Sequence, residues 1–360
     1  GQRLAGVEPI AAPKDGAQFH FSMPGSVQGF RLERGHGYAE HVSLENVPIA
    51  GGRALAIRYG GLGAGQSAAA LTPTFTPPEV VDMRTYELMA TPLVYPGQTI
   101  SARVLADPAN KGSVSAAIRL KVYTTDDKLR AVDGEAVTLA PGGEAILRFN
   151  IPDLGGQPVA EIGVALSAEG RRADGTVLVD HFRWDGVPDL HLRRPAEPSD
   201  FWRQAWVNGV SFFSKRFKQS FRISQDRGEG IIIHGTRDWT DYRVAADVMV
   251  HLGNEAGIAV RVQGLRRYYA ALLSRDGRLR IVRQRDEERT VLAEAPLDWA
   301  FERAYEFSVE ARGDRIACSI GDRTLEATDS SAEAFADGGI GLLVHEGALS
   351  SNDIRVTQPS

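Results

Sequence analysis

The chain has 360 residues, of which 43% are hydrophobic and 24% charged, and its formal net charge is −5 at pH 7. This length exceeds one ordinary core and predicts two domains. The acidic balance argues against nucleic acid and anionic membranes as partners. No apolar run approaches the roughly 20 residues of a membrane-spanning helix, so we expect a soluble protein. The single cysteine, Cys318, excludes an internal disulfide.

Strand patterns dominate the first half of the sequence. Apolar or alternating runs, bounded by glycine, proline, asparagine and aspartate clusters, occur at residues 54–59, 115–123, 145–151 and 176–184. Such spacing is typical of β-sandwiches rather than of alternating strands and helices. We therefore predict an all-β protein whose first sandwich, a jelly roll, covers residues 1–190.

A proline-rich segment interrupts this pattern at residues 187–200, which contain three prolines and several charged residues. We predict a semi-rigid linker there. The next stretch, residues 201–221, is unusually aromatic; its rings are Phe201, Trp202, Trp206, Phe212, Phe213, Phe217 and Phe221. Two interpretations stay open: the rings pack against the neighbouring domain, or they form a platform that stacks on sugar rings.

A second set of strand patterns predicts a second sandwich over residues 191–360. The runs lie at residues 242–250, 256–262, 268–273, 278–282, 305–310, 315–320, 338–344 and 352–356. The pairs Asp276-Gly277 and Gly313-Asp314 are turn signals that favour hairpins between neighbouring runs. The predicted fold class is therefore two tandem β-sandwich domains.

Familiar catalytic and phosphate-binding motifs are missing from the sequence. It contains no phosphate-binding loop, no His-Glu-x-x-His zinc motif and no nucleophile elbow. The eight histidines are scattered, and we interpret His36 and His41, the closest pair, as surface residues. Two carboxylates that meet across a sheet could act as a glycosidase pair, but the linear sequence selects none.

One basic segment stands out in this acidic protein. Residues 261–289 contain nine arginines against four acidic residues. Arginine and tyrosine together suit anions and sugar rings, through paired hydrogen bonds and stacking. We predict a ligand-binding face formed by Arg261, Tyr268, Tyr269 and Arg280. The alternative is a solvated sheet face whose arginines pair with acids on the next strand.

The alternation of apolar and polar residues along the strands predicts which side chains point away from the core. Ile258, Val260 and Val262 are expected to face the core, which directs Arg261 outward. Either Tyr268 or Tyr269 must share the outward side, because adjacent strand residues point in opposite directions. Arg280 is expected on the solvated side, since Leu279 and Ile281 are the apolar alternates.

Asp180 is a candidate metal ligand. A jelly roll often holds its first and last strands together with a calcium ion bound by an aspartate and backbone carbonyls. Asp180 leads the last predicted strand of the first domain, so we predict a structural calcium ion there. An aspartate that bonds only to protein groups is the alternative, and we expect no cofactor for catalysis.

Several long segments resemble a known family. They read FHFSMPGSVQGF (residues 19–30), LTPTFTPPE (71–79), YPGQ (95–98), VDHFRWDG (179–186), WVNG (206–209), GTRDWTDY (235–242) and GIAVRVQGLRRYY (257–269). Together they resemble the non-catalytic C-terminal region of bacterial ADP-ribosylglycohydrolase family proteins, over nearly the whole chain. The first domain is also similar to galactose-binding-like carbohydrate modules, and the second to concanavalin A-like or laminin-G-like sandwiches.

The resemblance implies an accessory role. The hydrolase half of such proteins is helical and binds magnesium through acidic clusters, and nothing here resembles it, so no catalytic residue carries over. The expected function is an accessory carbohydrate-binding or structural pair, with a glycan and a catalytic hydrolase domain as partners. The alternative is a concanavalin-like glycoside hydrolase or polysaccharide lyase, which would use Tyr268 or Tyr269 with a histidine on the concave face of the second domain.

Overall fold

The structure is a computed structural model that describes residues 16–75, 91–168, 172–196 and 201–359. These residues contain twenty-five β-strands and one short 3-10 helix, Phe201–Ala205, and no α-helix. The predicted all-β sandwich class is confirmed. Among the described residues, no helix is long and apolar enough to cross a membrane.

In the described residues, eleven strands build the N-terminal half, defined here as residues 16–185. They are β1 (Arg31–Leu32), β2 (His41–Ile49), β3 (Gly52–Leu62), β4 (Ser67–Pro73), β5 (Thr99–Ala106), β6 (Val114–Tyr123), β7 (Leu129–Asp133), β8 (Val137–Leu139), β9 (Glu144–Asn150), β10 (Glu161–Ser167) and β11 (Ala173–Asp185). One sheet has the order β1-β4-β10-β6-β7, with β8 also on β6, and the other has the order β2-β3-β11-β5-β9. Apolar side chains from both sheets, including Ile57, Val104, Ile118 and Val164, share one core between them.

Fourteen strands in the described part of the chain build the C-terminal half, defined as residues 190–359. They are β12 (Leu190–Arg193), β13 (Val207–Gly209), β14 (Phe212–Phe213), β15 (Phe221–His234), β16 (Tyr242–Leu252), β17 (Glu255–Gly264), β18 (Arg267–Ser274), β19 (Arg278–Arg285), β20 (Glu288–Pro296), β21 (Ala304–Arg312), β22 (Arg315–Ile320), β23 (Arg323–Thr328), β24 (Gly339–Ser351) and β25 (Asp353–Thr357).

The long strand β24 connects two layers of this half. Its first residues pair with β15 and β17, and its last residues pair with β15 and β16. One layer is the run β15-β24-β17-β18-β19-β20, and the other contains β16 and β21 to β23. The large core between the layers contains Ile258 of the first and Val309 of the second, and it also buries Cys318 as a strand residue.

The predicted linker is partly a strand. Leu190–Arg193 forms β12 and pairs with residues 353–356 of β25, so the prediction of a linker over the whole of 187–200 is wrong. Pro188 and Pro195, which lack a backbone N–H, lie outside this four-residue stretch. The residues between them alternate in polarity, and their own backbone groups can pair in a sheet. The two-domain division at residue 190 itself stays a prediction.

Aromatic rings connect the two halves. Tyr95 belongs to the N-terminal half, yet it is buried in the C-terminal core, with ring centroids 4.8 Å from Trp239 and 5.2 Å from His234. In the other direction, the ring of Phe201 lies 5.4 Å from that of Tyr123. Trp206 packs inside the C-terminal core, so only part of the aromatic stretch packs against the neighbouring half.

His234 should make the stability of this junction depend on pH. Burial lowers the pKa of His234 to about 4, against an ordinary value of 6.5, so the unfolded chain binds a proton that the folded chain excludes. The resulting destabilisation is absent above pH 6.5 and grows to about 3 kcal/mol as the pH falls towards 4. We expect His234→Gln to flatten this slope in urea unfolding, while the exposed His36→Gln keeps it. Equal slopes in both variants would contradict the expectation.

Candidate functional site

The outer face of the layer β15-β24-β17-β18-β19-β20 is the candidate site. Alternate side chains on these strands point away from the large core. The apolar ones form a second cluster: Ile231, Ile233, Ala259, Val262, Tyr268, Ala270, Leu272, Val282 and Leu343. This cluster is the floor of the surface that we call the concave face.

Strong curvature is evident from one ion pair. Arg289 on β20 and Glu229 on β15 lie on strands at opposite ends of the six-strand run, yet their side chains are in contact. In a flat sheet, five spacings of about 4.8 Å would hold them roughly 24 Å apart. The layer must therefore curl until its edges approach across the floor.

A polar network closes over this floor. Both oxygens of Glu229 are occupied, one by the hydroxyl of Tyr268 and the other by Arg289. Arg289 also donates to Glu255 at 2.9 Å, and Arg280 donates to Glu255 at 3.3 Å and to Glu294 at 3.1 Å. Burial and the neighbouring Glu229 raise the pKa of Tyr268, which keeps its phenol protonated.

A pocket opens beside this network at one end of the concave face. It has a volume of about 440 Å³ and is lined by Gly209, Glu229, Ile231, Leu265, Arg266, Gln284, Arg289 and His345. Gln284 is fixed by a hydrogen bond from Arg289. Within the described part of the chain, the His345 imidazole has no hydrogen-bond or ion-pair partner, so both ring nitrogens are available to a ligand.

The structure separates the four predicted ligand-binding residues into two pairs. Tyr268 and Arg280 lie on the concave face, where the hydrogen-bonded network that includes Glu255 and Arg289 connects them indirectly. Tyr269 and Arg261 meet instead at the backbone of Phe335: the Tyr269 hydroxyl accepts its N–H at 3.1 Å, and Arg261 donates to its carbonyl at 2.9 Å. Ligand binding by these residues stays a prediction.

The predicted outward direction of Arg261 is wrong. Arg261 is 2% exposed and donates to Asp241 and to the carbonyl of Thr240, both at 3.1 Å. A bulge in β17 breaks the alternation, and Arg261 takes a left-handed backbone conformation with φ of 48°. Val262 therefore joins the concave-face cluster instead of lying with Ile258 and Val260.

Signals for the pocket residues are weak in the sequence. Arg266 and Arg289 lie within the basic segment, but Glu229 and His345 lie on strands far apart in sequence. Only the pairing of Glu229 with His345 across β15 and β24 brings these two together. Glu229 lies at the end of a bulge at residues 225–229 of β15, and His345 lies opposite it on β24. No sequence pattern determines such a register shift.

Asp180 is buried in a bulge of β11. Its carboxylate is 3.3 Å from the Arg103 guanidinium and 2.9 Å from His181 Nδ1. Calcium needs about six to eight oxygen ligands, and the described residues contain no group of three or more histidine, cysteine, aspartate or glutamate side chains placed to hold a metal. The calcium site at Asp180 stays a prediction.

A hydrogen-bonded serine, histidine and glutamate lie where β16 meets β24. His251 Nε2 is 2.8 Å from Ser350 Oγ, and His251 Nδ1 is 2.8 Å from Glu302 Oε2. This is the order of a nucleophile, its base and an orienting acid. Ser350 is 2% exposed and paired on both sides within the sheet. The Ser350 hydroxyl is therefore shielded from solvent by the sheet.

Comparisons give only remote similarities. No family model and no curated protein matches the sequence. The carbohydrate-binding module CBM66 from Bacillus subtilis is similar, with 18% identity and a TM-score of 0.39, over 42% of this chain and 95% of that chain. A tandem pair of CBM22 modules from Paenibacillus barcinonensis has 11% identity and a TM-score of 0.32, over 97% of this chain and 99% of that chain. The galectin LEC-6 from Caenorhabditis elegans has 10% identity and a TM-score of 0.28, over 38% and 96%. Such low scores assign neither a ligand nor a function to this chain.

Proposed function

We propose that the chain is an accessory carbohydrate-binding protein whose glycan occupies the pocket on the concave face. The observation that carries the proposal is the pocket lining, where carboxylate, guanidinium, amide and imidazole groups converge. Such planar groups hydrogen-bond sugar hydroxyls well. The network around Glu229 and Arg289 holds these two side chains and Gln284 in place before a ligand arrives, which lowers the entropy cost of binding.

The same network favours binding over catalysis. Hydrolysis of a glycoside needs a carboxylic acid that can donate a proton to the leaving oxygen. All four oxygens of Glu229 and Glu255 already accept hydrogen bonds, from Tyr268, Arg289, Arg280 and Ser274. A lyase that used Tyr268 as its base would also need the phenol to ionise, and its raised pKa opposes this.

We also propose that the chain works beside a catalytic hydrolase domain. The support is the sequence resemblance to the non-catalytic region of ADP-ribosylglycohydrolase family proteins. In this arrangement the concave face would hold the glycan that carries or surrounds the substrate, while the chemistry takes place on the partner domain.

Titration calorimetry with neutral and uronate oligosaccharides tests the pocket. For a glycan that binds the wild type, we expect His345→Ala and Arg266→Ala each to lower the affinity at least tenfold, because each removes a donor group from the pocket wall. The exposed His36→Ala, in the N-terminal half, is the matched control and should bind normally. Binding that survives both pocket variants, or the failure of every oligosaccharide to bind, would refute the proposal.

A further inference from the structure

A second surface of the C-terminal half combines exposed rings with cations. It consists of Phe212, Lys215, Arg216, Phe217 and Arg222, and we call it the basic aromatic platform. Phe212 is 61% exposed and Phe217 is 48% exposed. Both rings line one groove, and exposed apolar side chains grouped on one surface and rimmed by polar residues are typical of interaction sites.

The platform is held in a defined shape. Phe212 pairs with Ser224 and Phe213 with Ile223, which fixes the start of the segment on β15. The Arg194 guanidinium donates to the carbonyls of Phe217, at 2.8 Å, and Gln219, at 3.0 Å, which fixes its end. The rings are therefore presented by a fixed loop.

The charge of the platform is strongly positive. Residues 209–222 contain four cations, at Lys215, Arg216, Lys218 and Arg222, and no acidic residue, in a chain of net charge −5. The Arg222 guanidinium lies 4.8 Å from the centre of the Phe217 ring. In the described residues that guanidinium has no hydrogen-bond or ion-pair partner, which leaves its N–H groups available to an anion.

The rings and cations line a groove rather than a projecting tip. The groove has a volume of about 620 Å³, and Ser211, Phe213, Ser214, Ser224 and Ala348 complete its lining. Membrane insertion would require the rings to lead into the lipid with the cations behind them. Here the two exposed rings and the cations line the same groove, an arrangement that suits a chain carrying both rings and negative charges.

We propose that the basic aromatic platform binds an acidic polysaccharide, at a site separate from the concave-face pocket. Sugar rings would stack on Phe212 and Phe217, and carboxylate or sulfate groups would pair with Arg222 and Arg216. The proposal stands on this surface alone and does not require a ligand in the concave-face pocket.

Titration with oligogalacturonate and with chondroitin sulfate oligosaccharides tests this proposal. We expect at least one of them to bind, with an affinity that falls steeply as salt is added, because partly exposed charge pairs are screened. Phe212→Ala and Arg222→Gln should each lower the affinity at least tenfold. Both lie at a surface, so their melting temperatures should stay within a few degrees of the wild type.

Two control variants distinguish binding at the platform from binding at the concave-face pocket or at exposed apolar surface in general. Leu252→Ala removes an equally exposed apolar side chain of the same half and should leave binding intact, and His345→Ala should affect only the concave-face pocket. Failure of both acidic glycans to bind would overturn the proposal, as would unchanged affinity in both platform variants. Binding confined to phosphatidylserine vesicles, with the same loss in Phe212→Ala, would replace it with a membrane site.

Discussion

Trp206→Ala is expected to lower the free energy of unfolding by about 3–5 kcal/mol, the usual cost of truncating a large buried ring. Trp206 is buried in the C-terminal core, stacked at 4.6 Å on His234 and 5.1 Å from Phe221. Its ring contacts a region that also receives Tyr95, so the cavity would open beside the junction of the two halves. Urea or thermal unfolding measures the loss.

Phe212→Ala is the matched control for that experiment. It removes a ring from the same aromatic stretch, but this ring is mostly exposed, so its loss should cost less than about 1 kcal/mol. Equal losses of unfolding free energy in Trp206→Ala and Phe212→Ala would contradict the structure, in which Trp206 is buried and Phe212 is mostly exposed.

Asp329→Ala should lower the free energy of unfolding by a comparable amount, because it removes a buried carboxylate that pairs with an arginine. Asp329 receives hydrogen bonds from Tyr269 at 2.7 Å, Ser331 at 2.6 Å and Arg283 at 2.9 Å. Removing the carboxylate leaves the buried Arg283 with the half-exposed Glu333 as its remaining counter-charge, and breaking a buried ion pair typically costs about 3–5 kcal/mol. Glu326→Ala, which breaks an exposed ion pair with Arg315, should cost no more than about 1 kcal/mol.

The same carboxylate should contribute to stability in acid. Burial raises the pKa of Asp329, but the bonds from Ser331, Tyr269 and Arg283 together outweigh it and hold the pKa at about 2. The stabilisation is complete above the ordinary value of 3.8 and is lost as the pH falls towards 2. Asp329→Asn should be less stable than the wild type at neutral pH, and the difference should shrink in acid. A constant difference from pH 6 to about pH 2 would show that the charge is not the cause.

Much of the fold follows from local alternation in the sequence. The runs predicted at residues 115–123 and 176–184 correspond closely to β6 and β11. A strand with one buried face shows apolar and polar residues in alternation, and this pattern can be recognised within a short stretch of sequence. The linker prediction over 187–200 is wrong because prolines surround a four-residue strand that pairs with the distant β25.

The candidate site is harder to predict because its geometry is not local. A single left-handed residue at Arg261 reverses the side-chain alternation along β17. Gly338 accommodates this bulge, since a side chain there would come within 2.4 Å of the Arg261 carbonyl carbon. The approach of Arg289 to Glu229 depends on the curvature of six strands, which no stretch of sequence encodes alone.

The insertion of Tyr95 has a consequence for how this chain can be divided. A fragment that begins at residue 190 would lack a ring that Trp239 and His234 surround. It would also lose the hydrogen bond of 2.7 Å from the Thr91 hydroxyl to the carbonyl of Gly235. Separated at residue 190, the second half would have a hole in its core where the Tyr95 ring lies. The two halves should therefore be inherited, expressed and engineered as one piece.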